Sequence, residues 1–168
     1  KGDVILATPV IRNFKKLIPQ ANIHVLVVNG AESLLNNNPY IDSTTTINFD
    51  AKTQEIKEIS NMLKSRKIDL AINLQSTNFS CKVLDRVSSR WKINRSYFFR
   101  DKKTDVLVGF TNTYRSLIER DLDVLRSIGL NPVDKNTEVF LGQNEIEWAK
   151  EFFSLNGLSS KNKIVTIH

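Results

Sequence analysis

Apolar positions recur along the chain in two alternating periods. Short, β-branched runs read as strands at residues 23–28, 44–49, 68–74, 91–94, 106–110 and 138–141. In the clearest of these, Ile68, Leu70, Ile72 and Leu74 share one face and small or polar residues take the other. Longer stretches with apolar residues three and four apart read as helices. One spans 4–18, with Val10, Phe14, Leu17 and Ile18 on a face, and Pro9 either kinks it or follows a fresh cap at Thr8. A short helix at 31–35 ends in the Asn36-Asn37-Asn38-Pro39 run. Thr53 is placed to cap a helix carrying Ile56, Ile59 and Leu63, and 79–87 forms another. Ser116 and Glu119 have the spacing of a capping box before the stripe Ile118, Leu122, Leu125 and Ile128, which Gly129 ends. Asn144 and Glu147 repeat that spacing before a helix with Ile146, Ala149 and Phe153 inward and Gly157 as its stop. Strand and helix alternate throughout, so the expected fold is α/β, a mostly parallel sheet with helices on both faces.

Length and composition narrow this without changing it. A chain of 168 residues, 40% hydrophobic and 25% charged, is one globular domain with little left over, which excludes fibrous and disordered classes. Cys81 is the single cysteine, so an internal disulfide is excluded and a reducing compartment is the simplest expectation. No apolar run is long enough to span a bilayer as a helix. The chain opens at Lys1 rather than Met and closes on a strand-like run, and is read as a fragment.

In open α/β sheets ligands gather at the carboxyl ends of strands, where a strand hands over to a helix. Gly2-Asp3 occupies such a place if a strand precedes Lys1. Glycine allows close backbone approach, and an unpaired carboxylate there can take a proton from a substrate hydroxyl. Asp3 as a simple helix cap is the competing reading, and the two are compatible.

The run Gly2-Asp3-Val4-Ile5-Leu6-Ala7-Thr8-Pro9-Val10-Ile11-Arg12 resembles the opening motif of the heptosyltransferases, glycosyltransferase family 9. The likeness continues through Ile23-His24-Val25-Leu26-Val27, Asn38-Pro39-Tyr40-Ile41-Asp42 and Ile68-Asp69-Leu70-Ala71-Ile72-Asn73-Leu74-Gln75. It ends with Ile118-Glu119-Arg120, the run 125–130, and Val165-Thr166-Ile167-His168. Three positions depart from the pattern: Lys1 precedes Gly-Asp, Ser76 stands where many members have Gly, and Ser116 where many have His.

The resemblance implies a two-lobed GT-B enzyme. Residues 1–160 would be its Rossmann-like, acceptor-binding N-terminal lobe with the first strand missing, and 161–168 the start of a nucleotide-sugar lobe. It implies an inverting transfer of heptose from ADP-heptose to the acidic inner core of lipopolysaccharide, with no cofactor and no metal. It implies a cytoplasmic enzyme, with peripheral contact at the inner membrane left open. Asp3 matches the family's general base. Gly2, Thr8 and Gln75 would line the cleft, and Lys82 and Arg86 would meet acidic groups of the acceptor. The fragment alone is expected to be inactive.

The remaining charged features fit more than one use. Residues 82–103 hold eight basic side chains (Lys82, Arg86, Arg90, Lys92, Arg95, Arg100, Lys102 and Lys103) against Asp85 and Asp101. That excess equals the whole chain's net charge of +6, and Trp91, Tyr97, Phe98 and Phe99 are interleaved with it. A solvated basic face, an acidic glycolipid or membrane surface, and a nucleic acid are the three readings. The last makes the rival function, a non-catalytic binding module for nucleic acid or another polyanion, although no nucleic-acid motif supports it. Gln75 could serve an acceptor sugar or a loop backbone. Asp121 and Asp123 lie two apart on a helix and point about 200° apart, so they cannot share an ion. His24, His168 and Cys81 have no zinc spacing, and Cys81 reads as a core residue. There is no Gly-x-Gly-x-x-Gly and no P-loop.

Overall fold

A computed structural model describes residues 1–95, 104–109, 114–159 and 161–165. The chain forms α1 (Gly2–Leu17), β1 (His24–Val28), β2 (Ser43–Ile47), α2 (Thr53–Lys64), β3 (Ile68–Asn73), α3 (Asn78–Arg86), β4 (Ser89–Arg95), β5 (Val106–Val108), α4 (Leu117–Arg126) and α5 (Gln143–Leu155). A single 3-10 turn, Glu32–Leu35, takes the place of the expected short helix.

Every strand pairing is parallel. β1 pairs with β2, from His24 opposite Ser43 to Val28 opposite Ile47. β3, β4 and β5 follow in sequence order, with Asn73 opposite Asn94 and Ile93 opposite Val106. Alternation along β1 shows how the layers form. Val25 and Val27 pack with Val4 of α1, while Leu26 and Val28 pack with Ile56 and Leu63 of α2. The same core continues to Ile68 and Ala71 of β3 and to Val83 and Val87 around α3. On the other side Val10 and Phe14 of α1 meet Leu122 and Leu125 of α4 and Leu74 beyond β3. Helices therefore cover both faces of parallel strands, as the alternating pattern requires.

Several local expectations change. α1 runs unbroken through Pro9, and Thr8 does not begin a new helix. Pro9 has no N–H for the carbonyl of Ile5, and the Thr8 hydroxyl donates to that carbonyl instead, at 2.8 Å. Lys52, not Thr53, is the N-cap of α2, and the carboxylate of Glu55 turns outward to accept from the backbone and side chain of Asn48. Ser116 caps α4 by accepting from the Glu119 N–H, but the Glu119 carboxylate pairs with Arg115 and Arg126 rather than closing the box. Gly142 is the N-cap of α5, and Glu147 accepts from Gln143 instead of completing a box with Asn144.

The expected strand at 138–141 does not form. This segment belongs to a connection laid along α1, whose side chains take the place of a neighbouring strand. The Glu138 N–H donates to the Thr8 hydroxyl, and the Asn13 side chain accepts from Val133 N–H and donates to the Asp134 carbonyl. Arg12 pairs with both Asp134 and Glu138. α5 forms as expected, but none of its residues is buried and Trp148 is 65% exposed. Ile146, Ala149 and Phe153 therefore do not enter a core among the described residues. The run ending in His168 lies partly outside those residues.

Candidate active site

Gly2 and Asp3 lie in the first turn of α1, exposed. A Cβ on Gly2 would meet nothing within 4 Å, so no described neighbour demands glycine there. α4 presents Asp121 within electrostatic reach of Asp3, and the two carboxylates repel each other. Asp121 is 5% exposed, and Nε of Arg95, itself 8% exposed, lies 2.9 Å from its Oδ1. Burial pushes Asp121 up to about 6 against the pull of Arg95 and Arg120, and the charge of Asp3 adds to the rise.

Arg95 also ties the corner to the sheet. Its Nε and Nη2 donate to the Leu74 carbonyl at 2.9 and 2.6 Å, and its own carbonyl accepts from the Ser76 hydroxyl. Ser76 has φ of 58°, a left-handed backbone that glycine adopts without strain. This explains why a position often filled by glycine in the resembled family can hold serine here: the hydroxyl bond to Arg95 offsets part of the strain. Just before it, the Asn73 carboxamide oxygen accepts from the Gln75 N–H at 3.2 Å, so Asn73 satisfies the loop and Gln75 is left exposed at the end of β3. Asn73 in turn donates to Asn94 at 2.8 Å, and both amides approach the Cys81 sulfur. Cys81 is half-buried against this polar pair rather than in the apolar core.

The expected site residues therefore divide. Asp3 and Gln75 stand at one corner, linked through Asp121, Arg95 and Leu74. Thr8 is buried beneath it and spends both hydroxyl functions on Ile5 and Glu138. Lys82 and Arg86 are exposed on α3, with Arg86 donating to the Lys82 carbonyl. α3 starts beyond the carboxyl end of β3, and Lys82 and Arg86 follow about 6 and about 12 Å down the helix axis, so Arg86 lies at the end of α3 away from β3's carboxyl end. Arg95 and Asp121 are the residues that sequence reasoning missed. Arg95 was hidden in a run that reads as a charged surface, and Asp121 in a helix whose polar positions all look solvated.

The basic stretch does not act as one surface. Arg95 is buried, and Lys92 donates from Nζ to the Asp85 carbonyl, while Lys82, Arg86 and Arg90 are exposed. Arg100, Lys102, Lys103, Asp101, Tyr97, Phe98 and Phe99 lie outside the described residues. Asp123 turns to Arg115 and Arg126, away from Asp121. Among the described residues no cluster of three ligating side chains could hold a metal, and no helix is long and apolar enough to cross a membrane.

Two solved structures share this fold. A glycosyl transferase family 9 protein from Veillonella parvula DSM 2008 superposes with a TM-score of 0.86 at 19% identity, over 96% of this chain and 48% of its own. Escherichia coli ADP-heptose lps heptosyltransferase II gives 0.73 at 17% identity, over 95% of this chain and 49% of its own. No protein-family model matches the chain. Among curated proteins, lipopolysaccharide heptosyltransferase 3 of Escherichia coli K12 is 28% identical, covering 99% of this chain and 50% of that protein. A second Escherichia coli protein of that name is 31% identical over 81% of this chain and 42% of its own length. In sequence the chain is similar to the lipopolysaccharide heptosyltransferases, and in fold to a glycosyl transferase family 9 protein. The chain spans about half the length of the curated relatives it matches.

Proposed function

We propose that this chain is the acceptor-binding half of an inverting glycosyltransferase in lipopolysaccharide biosynthesis, transferring heptose from ADP-heptose to the acidic inner core. The observation that carries the reading is the exposed Asp3 carboxylate at the first turn of α1, in a chain matched from end to end by lipopolysaccharide heptosyltransferase 3. In this reading Asp3 accepts the proton of an acceptor hydroxyl as that oxygen attacks the anomeric carbon. The bond from that carbon to the diphosphate breaks, ADP leaves with the electron pair, and the configuration inverts. Gln75 and the Gly2 backbone flank the acceptor, and Thr8 serves from beneath by holding α1 to the segment after Val133. Lys82 and Arg86 hold acidic groups of the acceptor at a distance from the reacting hydroxyl. Residues 1–160 form the acceptor lobe and 161–168 open the nucleotide-sugar lobe.

The split sheet supports the same organisation. β1 and β3 cover one common core, yet among the described residues each is paired along one edge only. A parallel strand supplied ahead of Lys1 fits between them and would deliver Gly2-Asp3 at its carboxyl end. The enzyme works in the cytoplasm, peripherally at the inner membrane where its acceptor is presented.

The test uses the full-length gene product with ADP-heptose and deacylated inner core. Acceptor-dependent release of ADP that is lost in Asp3→Ala is the expected result. Unchanged turnover in Asp3→Ala would remove Asp3 from the chemistry.

A further inference from the structure

Arg95 and Asp121 hold the least explained charges in the molecule. Both are buried, so neither meets an acceptor directly. A buried ion pair is weak evidence for stability, because desolvation offsets most of the attraction, and apolar side chains of similar volume would serve a core as well. This pair, however, is wired to the site at two ends. Arg95 grips the Leu74 carbonyl with two N–H groups, next to the exposed Gln75, and accepts from Ser76 across the β3–β4 loop ends. Asp121 shares its field with the exposed carboxylate of Asp3.

We propose that Arg95 and Asp121 are a positioning pair for the transfer reaction: Arg95 clamps the carboxyl ends of β3 and β4, and Asp121 couples that clamp electrostatically to Asp3. The inference rests on Asp3 being the base. The charged groups facing Asp121 are Arg95 from β4, Arg120 from α4 itself and Asp3 from α1. While Asp121 is ionised it absorbs the charge of Arg95. When it is protonated, Arg95 loses its anionic partner while still gripping the Leu74 carbonyl. Because Asp121 changes state at about 6, the clamp loses or regains its ion pair near that pH.

Two measurements decide the matter. In the full chain, carbon-13 NMR of the aspartate carboxyl groups should show Asp121 titrating near 6, and Asp3→Asn should move that step to lower pH by removing a charge that raises it. Asp3 is exposed, so this substitution leaves the core intact, and an Asp121 step at the same pH in both proteins overturns the proposal. In the full-length gene product, Asp121→Asn should erase the inflection near pH 6 in kcat/KM and lower kcat about tenfold or more, with KM for ADP-heptose nearly unchanged. Arg95→Lys keeps the charge but loses the two-point grip, and should lower kcat while retaining the inflection. A pair that only supports the fold would leave the pH profile as it is, and that result also overturns the proposal. If wild-type gene product releases no ADP, the transferase reading fails instead, and the coupling stands or falls on the NMR shift alone.

Discussion

At the scale of single residues, α1 is held by polar contacts that its apolar stripe does not reveal. Arg12 is buried with Asp134 and Glu138 as partners, and the hydrogen bond from Arg12 holds Asp134 below the ordinary carboxylate range. Arg12→Ala removes the buried cation, leaves Asp134 with the longer Lys16 contact and takes from Glu138 its ion-pair partner, and should cost about 1.5–3 kcal/mol of stability. Urea unfolding checks this through a lower midpoint at an unchanged slope. Thr8→Val keeps the shape but strips the hydroxyl that serves the Ile5 carbonyl and the Glu138 N–H. Two part-buried backbone groups then lose a partner, at a cost of about 1–2 kcal/mol by the same measurement. Thr8→Ser retains the hydroxyl and should recover most of that loss.

At the scale of elements, α4 and α5 make the useful contrast. Both were legible as helices, since each has apolar residues at helical spacing and a glycine stop. Only α4 turns that stripe into a core, with Leu122 and Leu125 wholly enclosed by α1. Leu125→Ala should therefore cost about 2–5 kcal/mol, whereas Trp148→Ala should change the unfolding midpoint of the chain by less than about 0.5 kcal/mol in equivalent stability. An equal loss for both would show that α5 is packed after all. Periodicity reports which face a helix offers, not whether anything covers it, so the inward placement of Phe153 did not follow. The same limit explains 138–141, where an apolar, extended run satisfies its backbone on the Thr8 hydroxyl instead of on a strand. Of the candidate site, Gly2-Asp3 and Gln75 were legible because a strand end and a helix start mark the place. Arg95 and Asp121 were not, because their meaning comes from burial against each other across 26 residues of sequence.

For the whole molecule, the balance of perturbed groups sets the response to acid. Asp134, Glu119 and Asp42 are all held low: Asp134 by Arg12, Glu119 by Arg126 and Arg115 against its burial, and Asp42 by the Ile23 N–H and Lys15. Their contribution is present above the unfolded carboxylate values and disappears as pH falls below about 4. His24 is lowered by burial and by Arg66, so the unfolded chain gains a proton first and stability declines as pH falls through about 6.5. Asp121 runs the other way, since the fold binds its proton near 6 and the unfolded chain near 3.8, and stability rises across that interval. Wild-type Tm should therefore fall less steeply between about 6.5 and 4 than that of Asp121→Asn, which lacks the compensating proton, and both should drop below about 4. Parallel decline in both proteins would contradict this account. The split between the β1–β2 and β3–β4–β5 sheets carries a further consequence for anyone handling the chain by itself. An unpaired strand edge is a template for any other chain that can lie along it. Among the described residues β1, β2, β3 and β5 each present such an edge, and these make solubility a matter of concentration, with self-association favoured as the protein is concentrated.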